Sequence, residues 1–480
     1  MAVRLALCVA GITLVGIVGG CSSPFDATGD LPQSYARPEP NSPELRPYSV
    51  FRQDARTADS APRTLSSDAA PDDYIRYALY HSPEAEAAFQ RWRAASERLP
   101  QVSALPDPRL AFGYYIEEVQ TRTGPQEARI GVEQTLPWLG TLQDREDAAA
   151  KAAMAAWREF EAVRLTVAER VVTTLHDLAY LDSTIAITRE NLELLQSFEE
   201  VLRARYRVGS GSHPELVRVQ VELGQVEDRV TQLEAMRLPY VAELNAALNR
   251  PMDTDVPRAV RIEGRVASVD AAQLSEIARR RNPALLALDE EIEQQRYLGA
   301  AARKDGLPDL TVGLDYVFTG DAVNPTTPGS GDDPILLRFG INVPLWREKY
   351  DAGVREATAR RLAVAHERAD RANRLAAGIQ RAWFEHTDAN RRVGLYENTL
   401  IPKAEESLRA SLAGFRAGDA SFLDLLDTER TLLEFAVAAQ RARADRGKAL
   451  ARLKTLVGEP IPTKPTENVT TPSDDNEVEQ

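Results

Sequence analysis

The chain has 480 residues, of which 43% are hydrophobic and 27% are charged, and its formal net charge is −14. This composition excludes a disordered chain and a protein built from many membrane-spanning helices. Nucleic-acid phosphates require a basic surface on their partner, so the acidic balance also excludes nucleic acid as a partner. Beyond the N-terminal region, no stretch approaches the roughly 20 consecutive apolar residues of a transmembrane helix.

Residues 1–20 have the layout of a secretory signal peptide, with Arg4 ahead of an apolar run that ends at Val18. The sequence Val18-Gly-Gly-Cys21 resembles a bacterial lipobox, which implies that Cys21 is acylated and becomes the mature N-terminus. An ordinary signal peptide with an incidental cysteine is the alternative. After cleavage Cys21 would be the sole cysteine, so no internal disulfide is expected. By resemblance to bacterial lipoproteins, Ser22 implies passage to the outer membrane.

Two segments show no periodicity. Residues 21–70 are rich in Pro, Ser, Asp and Arg and are interpreted as an extended linker. Residues 461–480 are polar and acidic and are predicted to be a disordered tail.

The chain between these segments is a tandem duplication. Three pairs of glycines or prolines keep the same separation of 209 residues: Gly131 and Gly340, Gly209 and Gly418, and Pro251 and Pro460. Three pairs in order at one spacing are uncommon by chance, and internal repeats define the architecture of a chain. We therefore predict a first repeat over 71–251 and a second over 270–460.

Each repeat contains two segments in which apolar and polar residues alternate, at about 109–136 and about 309–343. A Thr/Gly/Pro loop is predicted over 121–126 in the first pair, and a longer loop over 320–334 in the second. Apolar positions include Leu110, Phe112, Tyr114, Ile130, Val132, Leu314, Tyr316, Phe318, Leu337, Phe339 and Ile341. Charged residues occupy the other face: Glu117, Arg129, Glu133, Asp315 and Arg338. Strands of about nine residues with one apolar face are typical of a membrane β-barrel with a watery lumen. For either hairpin alone, a soluble sandwich remains the alternative.

Four strands are too few to close a transmembrane barrel, which needs about eight. Open sheet edges cannot face lipid, because their backbone polar groups would be left without hydrogen bonds. Spanning strands therefore require several subunits to share one barrel, and three subunits would supply twelve strands.

Long helices follow each strand pair, and helical hairpins are predicted at about 140–249 and 347–457. Neither proline nor glycine occurs from Leu142 to Tyr206, so one helix of about 100 Å is expected there. The matching helix of the second repeat is interrupted between Gly394 and Pro402. The alanine-rich run from Ala148 to Trp157 lets helix backbones approach closely.

The tips of these hairpins carry turn residues. The first tip is Gly209, Ser210 and Gly211, and Pro214 stands in the first turn of the returning helix, where proline is tolerated. The second tip is Gly418, Asp419 and Ala420, followed by a helix that either Asp419 or Ser421 can cap. Glycine accepts the left-handed conformation that ends a helix, so both tips are predicted turns.

Few side chains indicate a site. Asp424 and Asp427 lie three residues apart and so share a helical face, which is either a solvated acidic face or, if copies converge, a cation-attracting ring in a pore. Trp138 and Trp346, at the junctions between strands and helices, indicate either a membrane interface or a buried core. The five histidines show no metal or catalytic spacing, so neither an enzyme nor a cofactor is expected.

The duplicated strand pairs, the paired hairpins and the segment from Gly418 to Leu432 together resemble the TolC family of outer-membrane efflux channels. This resemblance, over about 71–460, implies a homotrimer whose twelve-stranded outer-membrane β-barrel continues as a periplasmic α-helical tunnel. It implies that Asp424 and Asp427 line the closed entrance. The tips would meet a periplasmic adaptor that couples to an inner-membrane pump. The basic residue that latches some members matches Ala420, which argues against that latch.

The segments from Leu105 to Pro108 and from Gln134 to Gly140 resemble the branch that serves heavy-metal efflux pumps. The expected protein is thus mainly α with a small β part, anchored by lipid at Cys21 in the outer membrane and conducting metal cations. A multidrug exit duct, a periplasmic adaptor lipoprotein and a structural coiled-coil lipoprotein are the alternatives. The alternating strands argue against the last two.

Overall fold

The computed structural model describes residues 65–66, 69–209, 211–258, 264–324, 326–417 and 419–465. Within these ranges the protein is mainly helical with a small β part, which confirms the predicted fold class. The predicted leader, Cys21, most of the linker, Ser210, Gly418 and the tail from residue 466 onward lie outside the described residues. None of the described helices is both long and apolar enough to cross a membrane.

The two repeats have the same order of main elements. The first contains α1 (Pro71–His81), α2 (Pro83–Ser96), α3 (Arg98–Ser103), β1 (Arg109–Thr121), β2 (Gly124–Leu136), α4 (Thr141–Arg207) and α5 (His213–Ala247). The second contains β3 (Arg265–Ala267), α6 (Ala271–Arg281), α7 (Pro283–Lys304), β4 (Leu310–Thr319), β5 (Ile335–Ile341), α8 (Arg347–Leu395), a π-helical turn (Tyr396–Leu400), α9 (Ile401–Ala417), α10 (Phe422–Val457) and β6 (Thr463–Pro465).

At the beginning of each repeat, two short helices are separated by a capping residue that is followed by proline. In the first repeat, Ser82 Oγ accepts a hydrogen bond from Ala85 N, and Pro83 opens α2. In the second, Asn282 Oδ1 accepts from two backbone N–H groups, and Pro283 opens α7. Proline lacks the N–H that would continue the preceding helix, so both breaks follow from the sequence.

Two strands of each repeat form one antiparallel sheet in the order β1-β2-β4-β5, and β3 pairs with β6 in a separate two-stranded sheet. Strand β2 of the first repeat pairs with β4 of the second, with Gly131 opposite Asp315 and Glu133 opposite Gly313. Strand β5 continues the sheet with Arg338 opposite Gly313. The two repeats are therefore joined side by side through their central strands, and β1 and β5 form the sheet edges.

The predicted loop over 121–126 is wrong in length. Strands β1 and β2 have 13 residues each and are joined by a tight turn at Arg122 and Thr123. The Thr121 hydroxyl donates a hydrogen bond to the Gly124 carbonyl over 2.6 Å, and Gly124 takes a positive φ of 139°. Glycine permits this backbone conformation, so the strands continue almost to the turn.

One face of the sheet is apolar and exposed. It carries Leu110, Phe112, Tyr114, Ile116, Ile130, Val132, Leu310, Leu314, Tyr316, Phe318, Ile335, Leu337, Phe339 and Ile341. Single exposed apolar residues are ordinary, but a contiguous apolar surface of this extent marks an interaction surface. The alternating pattern therefore leaves exposed, on one face, the apolar residues that a soluble protein would cover with a second layer.

The helices pack around repeated core clusters. In the first, Leu244 and Leu248 of α5 pack with Leu175 of α4. In the second, Leu453 and Val457 of α10 pack with Ile379 of α8. The α5 and α10 residues stand 209 residues apart and are almost fully buried in both repeats. The duplication is thus visible in the packing as well as in the sequence.

The interruption in the second long helix is a π-helical turn over Tyr396–Leu400 between α8 and α9. A π turn inside an α-helix is a recognised cause of a bend. It lies within the segment from Gly394 to Pro402 in which the sequence predicted a break. The equivalent helix of the first repeat, α4, runs without interruption for 67 residues.

Candidate functional site

The two hairpin tips are built by different local devices. At the first, Gly209 takes a left-handed φ of 76° just after the end of α4, and Pro214 lies in the first turn of α5. At the second, Asp419 N and Ala420 N both donate to the Gly414 carbonyl, at 2.9 and 3.2 Å. Both devices use the carbonyl and amide groups that a helix end leaves without partners.

Ser421, and not Asp419, caps α10. Its hydroxyl accepts a hydrogen bond from Asp424 N at 3.2 Å, and the Asp424 carboxylate accepts from Ser421 N at 3.2 Å. This reciprocal arrangement is a capping box. Asp424 therefore has a structural task in addition to any function of its charge.

A shared apolar cluster joins the tips. Phe422 of α10 is fully buried, and its ring centroid lies 6.4 Å from that of Phe198 in α4 and 6.0 Å from that of Phe415 in α9. Arg205 of α4 donates to the Phe415 carbonyl at 3.1 Å and lies over its ring. The two hairpins thus form one packed unit at this end of the subunit.

Asp424 and Asp427 are both exposed, whereas Leu425 and Leu426 between them are buried in the tip cluster. The structure therefore places the two carboxylates on the outer side of α10, as the three-residue spacing predicts. Their assignment to a pore aperture requires a neighbouring subunit and stays a prediction.

Sequence reasoning missed a group of buried charges just behind this face. Glu429 of α10 and Glu222 of α5 are buried, and Arg430 donates to Glu222 from Nε over 3.0 Å. In α4 the pKa of Glu199 is lowered, because Gln220 and Arg203 donate hydrogen bonds to its carboxylate. A detectable signal existed, since Glu429 follows Phe422 and Leu425 at the spacing of the apolar stripe.

Trp138 and Trp346 stand at the strand–helix junctions with exposures of 42% and 78%. Trp138 N donates to Asp309 Oδ1 at 3.0 Å, and Trp346 precedes α8. Leu139 and Leu345 beside them are also exposed. Neither indole belongs to the core of the subunit, so of the two interpretations only the membrane interface stays open, as a prediction.

The polar face of the sheet holds an ion-pair cluster. Arg338 of β5 pairs with Asp315 of β4 and lies 3.7 Å from Glu133 of β2. It reaches across Gly313, which presents no side chain. This cluster ties the strands of both repeats together on the face opposite the apolar one.

Two of the five histidines support the helix packing. Burial lowers the pKa of His386, whose Nε2 accepts from Ala267 N at 3.1 Å while Nδ1 donates to the Arg446 carbonyl. Burial and the Lys448 charge lower the pKa of His176 to about 4. Across the described ranges, no group of three or more His, Cys, Asp or Glu side chains could hold a metal ion.

Comparison with known proteins identifies the family. The model of the outer membrane efflux protein family matches residues 74–250 and 274–459. Nodulation protein T of Rhizobium leguminosarum bv. trifolii is 22% identical over 417 residues, covering 82% of this chain and 86% of that protein. The cobalt-zinc-cadmium resistance protein CzcC of Cupriavidus metallidurans is 21% identical over 339 residues, covering 70% and 77%.

Among solved structures, the outer membrane protein VceC from Vibrio cholerae has a similar fold, with a TM-score of 0.66 and 18% identity. The match covers 81% of this chain and 96% of VceC. The two family matches coincide with the two repeats, each with its strand pair and helical hairpin. This chain therefore belongs to the outer membrane efflux protein family.

Proposed function

We propose that this outer-membrane efflux channel works as a homotrimeric, passive exit duct, coupled through a periplasmic adaptor to an inner-membrane pump. The observation that carries the proposal is the four-stranded sheet with an exposed apolar face and two edges, β1 and β5. Lipid offers no hydrogen bonds to an open edge, so the sheet needs neighbours. Three copies joined edge to edge supply twelve strands.

The helices extend the duct away from the sheet. Helix α4 alone has 67 residues, which corresponds to about 100 Å at 1.5 Å per residue. Such a length suits a tunnel across the periplasm better than a compact domain. The family, and a sheet with this exposed apolar face, favour a channel over the alternative of an adaptor lipoprotein.

The tips are the proposed entrance and the contact with the adaptor. We assign this role to Gly209, Gly211, Asp419 and Ala420, with Ser210 and Gly418 completing the tips in sequence. The assignment is supported by the shared apolar cluster, whose members Leu202, Leu216, Phe415 and Phe422 flank the two tips. Under three-fold symmetry, the exposed pair Asp424 and Asp427 becomes two acidic rings, which attract cations into a constriction.

Lipid contacts are proposed at two levels. Trp138 and Trp346 mark the membrane interface next to the apolar strands, because indoles favour the headgroup region. An acyl chain on Cys21 would anchor the mature N-terminus in the outer membrane. No chemistry of its own is proposed for the chain, since a conduit need only let its cargo pass.

Metal cations are the proposed cargo, with drugs as the competing class. The proposed acidic rings of Asp424 and Asp427 favour cations, and a relative is named for cobalt, zinc and cadmium resistance. A strain that lacks this gene should become sensitive to these metals and regain resistance from a plasmid copy. Sensitivity to drugs alone would contradict the metal assignment and leave the duct intact.

Single-channel recording in planar bilayers tests the duct itself. The purified protein should conduct and prefer cations, and the double substitution Asp424→Asn with Asp427→Asn should reduce that preference. Asparagine keeps an acceptor for the Ser421 backbone, so the helix cap survives. The matched control Glu434→Gln removes an exposed charge further along α10 and should change nothing. A protein that stays monomeric and water-soluble without detergent would refute the duct; unchanged selectivity would refute only the acidic rings.

A further inference from the structure

Glu429 is an unusual residue in the contact between the hairpins. It belongs to α10, two residues beyond Asp427, and only 2% of it is exposed. Both of its carboxylate oxygens are buried and lack a hydrogen-bond partner. A buried carboxylate without donors is costly, and a neutral carboxyl group in the same place costs much less.

The nearest charges make ionisation more difficult. Glu222 of α5 is itself buried and carries the second carboxylate. The Arg430 guanidinium donates hydrogen bonds to both carboxylate oxygens of Glu222, so its charge stabilises Glu222 more than Glu429. Burial and then the Glu222 charge raise the pKa of Glu429 to about 7, while Arg430 opposes the shift.

Helix α4 also packs beside Glu429. The contacts of Phe198 with Phe422 and of Tyr180 with Arg441 run antiparallel along α4 and α10, and their register puts Asn191 at the level of Glu429. Asn191 is buried, and its Oδ1 has no hydrogen-bond partner. The charged residues beside Asn191 in α4, Glu190 and Glu193, are exposed.

Helix α9 adds no buried charge either. Its contact with α10 at this level joins Ser411 to Thr428 over 3.4 Å, and Arg409 nearby is exposed. A groove of about 730 Å³, lined by Glu222 and Arg430 among others, opens beside the ion pair. Glu429 is not among the residues that line this groove, so its carboxyl group exchanges a proton with water when the contact between the helices loosens.

We propose that Glu429 makes the contact between the two hairpins proton-sensitive. With Glu429 neutral, the Glu222–Arg430 pair holds α5 and α10 together across the groove, where both helices pack on α4. Ionisation releases the proton to water as the contact opens, and it leaves two carboxylates side by side with one guanidinium. The helices then separate until water reaches the second carboxylate, so the tip end of the subunit is tight in mild acid and loose above neutral pH.

This inference rests on the packing of one subunit and does not require the proposed duct. Hydrogen exchange of the purified full-length protein at pH 6 and pH 8, corrected for the intrinsic rate, provides the test. In the open state the Glu429 carboxyl group regains an ordinary pKa. The population of this open state should therefore be about tenfold higher at pH 8 than at pH 6. The difference should be confined to peptides of α5 and α10 near Glu222 and Glu429.

Two variants identify the residue responsible. Glu429→Gln mimics the neutral carboxyl group and should remove the difference, leaving the peptides protected at both pH values. Glu227→Gln, the control, removes an exposed charge of α5 that does not line the groove and should keep the wild-type difference. Equal protection of the wild type at both pH values, or a pH difference that persists in Glu429→Gln, would overturn the proposal.

Infrared spectroscopy gives an independent measurement. The wild type at pH 6 should show a protonated carboxyl band that disappears by pH 8 and that Glu429→Gln lacks at both. A protein that conducts no ions but shows this band and the exchange difference would contradict the duct alone. Normal conduction with neither signal would contradict this inference alone.

Discussion

Gly447 offers a direct test of the contact between α4 and α10. A Cβ atom placed there would lie 2.0 Å from Cε1 and 2.1 Å from Nε2 of His176. Carbon atoms do not approach so closely, so the imidazole or a helix must move. Alanine gains about 1 kcal/mol of helix propensity over glycine, whereas overpacking costs about 1–3 kcal/mol. We therefore expect Gly447→Ala to destabilise the protein by up to about 2 kcal/mol, because the clash involves a ring and two helices.

Two controls separate the clash from helix propensity. Gly224 in α5 has no atom within 4 Å of its Cβ position, so Gly224→Ala should stabilise by up to about 1 kcal/mol. In the double variant His176→Ala with Gly447→Ala the clash is gone, so the two effects should be far from additive. Thermal unfolding midpoints in detergent, measured by circular dichroism at one scan rate, give the comparison. A higher midpoint for Gly447→Ala, as for Gly224→Ala, would refute the close contact.

Two further substitutions follow from the same reasoning. Gly131→Ala should lower the yield of folded protein, because its Cβ would lie 2.0 Å from Asp315 Oδ1 and would displace the carboxylate that pairs with Arg338. Gly340→Ala at the equivalent position meets only the Thr311 Cβ at 3.8 Å. The yield in the membrane fraction compares the two variants, and equal yields would contradict the close pairing of β2 with β4. The pKa of His176 is lowered from 6.5 to about 4, so its contribution to stability is complete above pH 6.5 and is lost as the pH falls towards 4. His176→Gln should therefore lose less stability than the wild type over that range, as measured by unfolding midpoints. An equal dependence of the midpoint on pH in both proteins would count against the neutral ring.

Local sequence signals predicted the helices well. The lack of proline and glycine between Leu142 and Tyr206 corresponds to one unbroken helix, α4. Gly209 and Pro214 correctly marked the end of one helix and the start of the next. These are short-range effects of backbone conformation, so a single sequence contains them.

Long-range arrangements were harder to predict. The pairing of β2 with β4 depends on contacts between residues far apart in the chain, which no local pattern encodes. The tight turn before Gly124 was predicted as a loop, since its Thr, Gly and Pro residues suit either. The burial of Glu429 depends on how α4 and α10 pack together, so the sequence offered only an unexplained charge in an apolar stripe.

The direction of the strands has a consequence for assembly. Because β1, β2, β4 and β5 alternate in direction, the first and last strands of each sheet run opposite ways. The joint between copies can then have the same antiparallel hydrogen bonding as every internal joint, whatever the number of copies. Strand direction thus imposes no stoichiometry on the proposed ring of subunits, which leaves the packing of the long helices between neighbouring copies as the feature that can set their number.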